Sequence, residues 1–329
     1  MKRCLIRTFQ RMNGAEIDSF RHRTPTGPPR AVTPANGTNT PMSEQPRTLT
    51  HLSRLIISPI RTSSEKAAEP LMDIWGEAAS NWSDLCVAMG CKKARVPGAF
   101  VHFYNIRKSG TFYNFSLVHD PSIFSIDRVE KEFVRRDLPF AIKIPGLTSH
   151  VRMESLLRER GYSLVPVWNL MTHKTHTGKR NPDVQVEEIS WSRLEDWFAL
   201  SNLARLPQGS RNARQEMVRK AMRNDCTRLL LATLDGKLVG EGLLFVKDRI
   251  ASIHMMATVP EFRRRHVATT IVLEAIEKAR ETGVDLLWLR TRKGGIGERV
   301  YLKCGFDSFS EIRTYSKTPE LEEVGGVPP

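Results

Sequence analysis

Val259-Pro260-Glu261-Phe262-Arg263-Arg264-Arg265-His266-Val267-Ala268-Thr269-Thr270 is the stretch that decides the fold of this chain. It joins a β-like segment, Ile250 to Val259, to an amphipathic helical pattern from Thr269 to Thr282. A strand delivered through a short basic loop into a helix N-terminus makes an anion site. The first helical N–H groups have no intrahelical partner, the helix dipole is positive there, and arginines add full charge. Upstream, Leu229 to Leu234 and Leu238 to Val246 flank Asp235-Gly236, a hairpin turn signal. Downstream come a strand pattern, Leu286 to Leu289, and the run Glu298-Arg299-Val300-Tyr301-Leu302-Lys303-Cys304-Gly305-Phe306.

This series resembles the GNAT N-acetyltransferase superfamily. The family's loop reads Arg/Gln-x-x-Gly-x-Gly/Ala after a Pro-Glu-aromatic lead-in, and its last helix commonly reads Tyr-x-x-x-Gly-Phe. Arg263 matches the first loop position, Ala268 the last, and Tyr301, Gly305 and Phe306 the second motif. His266 stands where the family has its first glycine. Glycine suits that place because the backbone must approach a pyrophosphate closely. The resemblance is specific over residues 250–306 and loose elsewhere between 68 and 317.

The 329 residues suffice for two ordinary domains, each with its own core. With 40% hydrophobic and 26% charged residues, and no apolar run long enough to span a bilayer, the chain has the composition of a soluble globular protein with no membrane role. Half of the +14 formal charge lies in residues 1–66, which hold 11 Lys/Arg against 4 Asp/Glu. A basic coenzyme pocket plus a basic tail therefore accounts for the charge more simply than a nucleic-acid partner. The 5 cysteines are odd in number and scattered, and no His/Cys pair completes a zinc pattern around Cys86 and Cys91. This points away from metal and toward a reducing, cytoplasmic setting.

Residues 1–67 read as a disordered basic leader, like a transit peptide but long, or as residues preceding a true start at Met42 or Met72. Met72 to Met89 is expected to be helical, with Trp75, Ala79, Trp82 and Cys86 on one face. Ala99 to Ile106 and Thr111 to Val118 read as a hairpin turning at Lys108-Ser109-Gly110. Helices are expected over Ser125 to Arg136 and Ser149 to Arg160, and strands over Phe140 to Ile144 and Ser163 to Met171. A polar bridge, Thr172 to Pro182, precedes a strand at Val184 to Ile189, helices at Ser192 to Ala204 and Asn212 to Arg223, and a last strand at Ser308 to Ser316. From Pro319 the chain reads as a frayed tail.

Glu154 to Tyr162 echoes Glu298 to Phe306, each with Glu seven residues before Gly-aromatic and each followed by a strand pattern. Leu157 stands where the second copy has Tyr301, and nothing between 68 and 180 resembles the arginine loop. The resemblance therefore implies an α/β fold of two tandem GNAT-like domains, each a mixed, mostly antiparallel sheet flanked by helices. The degenerate copy would span 68–180 and the acetyltransferase domain 181–318.

Acyl transfer from a thioester to an amine needs a held donor, a stabilised oxyanion, a neutral amine and a protonated leaving thiolate. The resemblance implies that backbone groups of Met256, Ala257, Thr258 and Val259 pair with the pantetheine arm and supply the oxyanion N–H. Arg263, Arg264, Arg265, His266, Val267, Ala268 and Thr269 would hold the pyrophosphate, with Arg264 or Arg265 reaching the ribose 3′-phosphate or facing water. Tyr301 matches the family's acid. The family's frequent strand glutamate falls on Ser252, which is no base; His254, two residues on and on the same face, and Glu241, on the preceding strand, are the candidates. Gly294-Gly295-Ile296-Gly297 reads as a loop that brings the last helix close to the cleft. The function implied is acetyl-CoA-dependent N-acetyltransfer to a small-molecule or peptide amine, without metal. The alternative is a non-catalytic acyl-CoA sensor or partner-binding pseudoenzyme.

Overall fold

A computed structural model describes residues 63–104, 114–146, 151–165, 167–175, 177–203 and 208–318, all within one compact unit spanning Pro59–Pro329. The expected turn at 108–110, the leader up to residue 62 and the tail from 319 lie outside the described residues. The chain opens with helix α1 (Ser63–Ala88), then strands β1 (Lys92–Val96), β2 (Ala99–Phe103) and β3 (Phe115–Val118), helix α2 (Ile126–Val134), strand β4 (Ala141–Pro145) and helix α3 (Val151–Glu159). Next come β5 (Ser163–Leu164), β6 (Trp168–His173), β7 (Val184–Ile189), α4 (Leu194–Leu203) and α5 (Gln208–Ala221). The chain closes with β8 (Thr227–Leu234), β9 (Lys237–Lys247), β10 (Ile250–Thr258), α6 (Val267–Glu281), β11 (Leu286–Arg292), α7 (Ile296–Lys303) and β12 (Phe306–Ser316).

The strands form one mixed sheet in the order β1-β2-β3-β4-β12-β6-β11-β10-β9-β8-β7, with β5 paired to β12. Its centre is an exchange. Strand β6, from the first half of the sequence, lies between β11 and β12, while β12, from the second half, lies between β4 and β6. Each half therefore completes the other's hydrogen-bond ladder. On either side of this seam stands a parallel pair joined by a crossover helix: β3 and β4 around α2, and β10 and β11 around α6.

Helices cover both faces. On one face Val267, Ile271, Leu273 and Ile276 of α6 pack on Leu230, Leu244, Ile253 and Leu289. On the same strands' opposite face, Trp197 and Phe198 of α4 and Val218 of α5 meet Leu229, Leu231, Leu243 and Phe245. Helix α1 crosses that second face over the seam: its Trp75, Ala79, Trp82 and Cys86 share a core with Leu117, Leu170, Trp288 and Ile312. This is the helical face read from the sequence. Asn81 locks α1 down: it accepts from Ser252 Oγ (2.7 Å) and Trp288 Nε1 (3.2 Å) and donates to Ile250 O (3.2 Å). A buried amide so engaged ties α1 to β10 and β11 at one point.

Some expectations are corrected. α1 starts at Ser63, inside the segment assigned to a leader ending at 67. β1 went unread because Lys92-Lys93-Ala94-Arg95 has no apolar alternation, which suits a charged edge strand. The strand expected over 163–171 is two strands, and the polar bridge begins only after His173.

Two outcomes follow. Asn81→Leu strands Ser252 Oγ and Trp288 Nε1 without an acceptor and is expected to cost about 2–5 kcal/mol in urea unfolding. Residues 181–318 alone, lacking β6, are expected to show no cooperative melt, and co-expression with residues 63–180 is expected to restore one.

Candidate functional site

Helix α6 begins without a side-chain cap. Its N-cap residue His266 is left-handed (φ 58°, ψ 16°), and no acidic side chain sits in the first turn. Among the described residues, no backbone carbonyl accepts from the amides between Arg264 and Thr269. Arg263, Arg264, Arg265 and His266 are all exposed around these open donors. His266 thus takes the backbone conformation for which glycine is the usual residue, with its imidazole turned to solvent. The loop is braced from behind by the bridge: Asn181 Nδ2 donates to Arg265 O (3.0 Å), and Asn181 N donates to Thr270 Oγ1 (3.0 Å).

The strand leading into the loop parts from its parallel neighbour. Pairing of β10 with β11 ends at Ile253 and Leu289, whereas pairing of β10 with β9 continues to Thr258 across a bulge between His254 and Ala257. Met255, in the bulge, has φ 51°. The edge of Met256 to Thr258 that faces β11 therefore carries no ladder. Gly240 and Gly242 let α6 and Met256 lie against β9 there. A Cβ on Gly240 would stand 2.7 Å from Ile271 Cδ1 and Val267 Cγ1, and one on Gly242 2.7 Å from Met256 Sδ.

Arg214 of α5 holds the bulge from the opposite face. Its Nη2 donates to Met255 O (3.2 Å) and to Glu241 Oε1 (2.6 Å), while its guanidinium lies 4.7 Å from the Trp197 ring centroid. Glu241 is buried, and its Oε2 has no hydrogen-bond partner. Burial raises its carboxyl to about 7, against the opposing pull of Arg214. Desolvation outweighs the ion pair here, as expected for a single partner on a fully enclosed carboxylate.

His254 lies on the same face as Glu241, with its ring 5.5 Å from Trp288 and Nε2 shielded and unpartnered. Burial, and then the charge of Arg290, pushes its pKa down to about 3. Such an imidazole stays neutral and gains little from taking a proton near neutrality. Ser252 faces Asn81 and belongs to the core.

Tyr301, on α7, approaches from the α6 face and stacks edge-on to Phe306 at 6.1 Å. Burial raises its phenol well above the usual value, so it stays protonated at any working pH. Gly297 makes room for it: a Cβ there would meet Thr291 Oγ1 at 2.8 Å and Tyr301 Cε2 at 3.3 Å. Gly305 is as constrained, since its Cβ would fall 1.6 Å from Thr175 O. The Gly-Phe pair thus docks the bridge that carries Asn181.

An open helix N-terminus, a splayed parallel pair with a bulge, and a tyrosine beside the gap together form a cleft for an anionic, extended ligand. Residues 191–306 match the acetyltransferase (GNAT) family. None of the curated proteins compared with the chain matches it. Among solved structures, the chain is similar to a GCN5-related N-acetyltransferase from Kribbella flavida, at 15% identity and a TM-score of 0.57 over 73% of this chain and 94% of that one. It is also similar to a functionally unknown conserved protein from Staphylococcus epidermidis (13%, TM-score 0.53, 69% and 94% covered). A third likeness is to a GCN5-related N-acetyltransferase from Sphaerobacter thermophilus (15%, TM-score 0.50, 66% and 76% covered). At such identities these likenesses establish the fold: an α/β protein with a mixed sheet flanked by helices.

The structure brings Glu241, His254, Met256 to Val259, the arginine loop and Tyr301 around the gap between β10 and β11. Sequence reasoning missed Arg214, Asn181 and Asn81. Asn181-Pro182 carries a turn signal that marked a bridge, not a brace. Among the described residues, no group of His, Cys, Asp and Glu is arranged to hold a metal, and no helix is long and apolar enough to cross a membrane.

Replacing Arg263 and Arg264 by Glu is expected to weaken coenzyme A binding about 10- to 100-fold in calorimetry without moving the melting temperature. Asn181→Ala is expected to weaken it about fivefold. His266→Gly is expected to leave stability within about 1 kcal/mol, because relief of the left-handed residue offsets the entropy glycine adds to the unfolded chain.

Proposed function

We propose that the protein is an acetyl-CoA-dependent N-acetyltransferase acting on a small-molecule or peptide amine, cytoplasmic and independent of metal. The observation that carries this reading is the gap beyond Ile253 and Leu289, flanked by the open α6 N-terminus on one face and by Glu241 on the other. The residues present fit the coenzyme. The free amides from Arg264 to Thr269 and the charges of Arg263, Arg264 and Arg265 suit a pyrophosphate and a ribose phosphate. The unladdered edge of Met256 to Thr258 suits the amides of a pantetheine arm, and Gly240 and Gly242 leave the backbone approachable. When bound, the coenzyme supplies an acyl thioester.

The chain's own groups then divide the work. Backbone N–H groups between Met256 and Thr258 stabilise charge on the carbonyl oxygen. Arg214 fixes their direction through the Met255 carbonyl. Glu241, with a pKa near 7, takes the proton that the attacking amine loses, directly or through water. Tyr301, protonated throughout, gives its hydroxyl proton to the leaving sulfur. His254 shapes the acceptor side as a neutral ring and takes no proton.

We further propose that residues 68–180 are a degenerate copy of 181–318. The repeated order of parallel pair, crossover helix, second helix and exchanged strand supports this. The first copy lacks an anion site: Ser125 caps α2 by accepting from Arg128 N, and Asp127 occupies its first turn.

Transfer should follow the charge of Glu241. As an acid raised toward 7, it becomes a base only as pH rises through about 7, so kcat/KM should climb over that range. Glu241→Gln should remove this limb and lower kcat/KM about 100-fold or more; Arg214→Met should shift it to higher pH, since Arg214 lowers the carboxyl's pKa. His254→Gln should leave it in place. Tyr301→Phe should lower kcat about 100-fold with acetyl-CoA affinity retained. Tight acetyl-CoA binding without turnover across a broad amine panel would show a sensor instead of an enzyme.

A further inference from the structure

Strand β11 carries Trp288 on the α1 face, in the core formed with Trp82, and Arg290, two residues on, points the same way. Because the ladder to β10 ends at Leu289, Arg290 is the first residue of that face beyond the paired strands, at the mouth of the gap. Its guanidinium lies 4.0 Å from the Trp82 ring centroid and 5.5 Å from that of Trp168. Rings at these distances fix the plane of the group. Stacking engages the faces of a guanidinium, whereas a carboxylate is recognised along its edge. The charge is felt on this face: Arg290 acts on His254, and Arg290, Lys143 and Lys93 act on Cys86 beneath α1. Lys143, itself buried, lies 5.2 Å from the Phe115 ring centroid. The facing carboxylate, Glu241, is already engaged by Arg214 at 2.6 Å.

The acceptor must enter from this side, because α6, α7 and Tyr301 occupy the other. We infer that the acceptor amine also bears a carboxylate, and that Arg290 binds this carboxylate at the mouth of the gap while Trp82 and Trp168 hold the guanidinium in plane. The inference rests on the transferase reading above and narrows its substrate to the amino-acid type. The same positive face favours the neutral form of the amine, which is the form that attacks.

Product binding tests this without requiring turnover. Coenzyme-A-loaded protein is titrated by calorimetry with N-acetylglycine, N-acetyl-L-leucine and N-acetyl-L-phenylalanine, and with the corresponding carboxamides. At least one acid is expected to bind more tightly than its carboxamide. Arg290→Gln is expected to weaken that acid about 10- to 100-fold while leaving its carboxamide and coenzyme A within about twofold. Arg290→Lys, which keeps the charge and loses the planar fork, should fall between; it also decides the matter should Arg290→Gln fail to bind coenzyme A. Acids that bind no better than carboxamides, or a loss shared equally by both in Arg290→Lys, would overturn the inference. Arg290-dependent acid binding in a protein that transfers acetyl to none of the parent amino acids would support the carboxylate site and sink the transferase reading.

Discussion

The cleft depends on β11 being held along one edge and released along the other. On its fixed edge β11 pairs with β6 from Trp288 to Arg292, through residues 172 down to 168. On its open edge the ladder to β10 stops at Leu289. A parallel pair that parts midway exposes backbone polar groups, which is costly unless a ligand or water takes them up. Two devices keep it parted. The bulge turns β10 away at Met255, whose carbonyl Arg214 holds, and the exchanged strand β6 prevents β11 from following. The half of the chain without an arginine loop thus contributes directly to the opening, by supplying the strand that fixes β11.

The sheet also separates charge. The α6 face offers open amides, three arginines and a protonated phenol, all suited to anions or a developing thiolate. The opposite face holds a carboxyl whose burial outweighs its ion pair. That balance is useful chemically. A second cation beside Glu241 would lower its pKa and leave a weak base; without Arg214 the group would stay protonated at neutral pH. Arg214 also ties the carboxyl's position to the bulge carbonyl, so a proton acceptor and the local backbone share one support.

The fold was legible where pattern and turn chemistry agreed. Asp235-Gly236 announced the β8–β9 hairpin, with Asp235 at φ 53° and Gly236 at φ 71°. The arginine run fell at the N-terminus of α6, and the spacing of Trp75, Ala79, Trp82 and Cys86 gave the buried face of α1. The strand exchange was not legible, because β6 and β12 have the same alternation whichever neighbour they pair with; sequence period fixes the face of a strand, not its partner. The supports of the site were equally hidden. Asn81, Asn181 and Arg214 act at separations of 171, 84 and 27 residues, and a polar residue on a helix or bridge carries no local sign of its distant acceptor. For His254, the strand spacing located the residue but burial changed its chemistry.

The two crossover helices show what an anion site costs a fold. Ser125 and Asp127 satisfy the start of α2 from within, an arrangement that stabilises a helix by about 1–2 kcal/mol. Helix α6 forgoes this: its N-cap side chain accepts nothing, its backbone is left-handed at a residue with a Cβ, and arginines crowd the positive end of its dipole. Each feature opposes stability, and each is relieved by a bound polyanion. The longer helix and its apolar packing on the sheet absorb the deficit, since α6 buries Val267, Ile271, Val272, Leu273, Ala275 and Ile276. A capped helix end gains stability by filling the donors a ligand would need. On this ground the first half can keep the architecture, contribute the strand that holds the cleft open, and have no coenzyme site of its own.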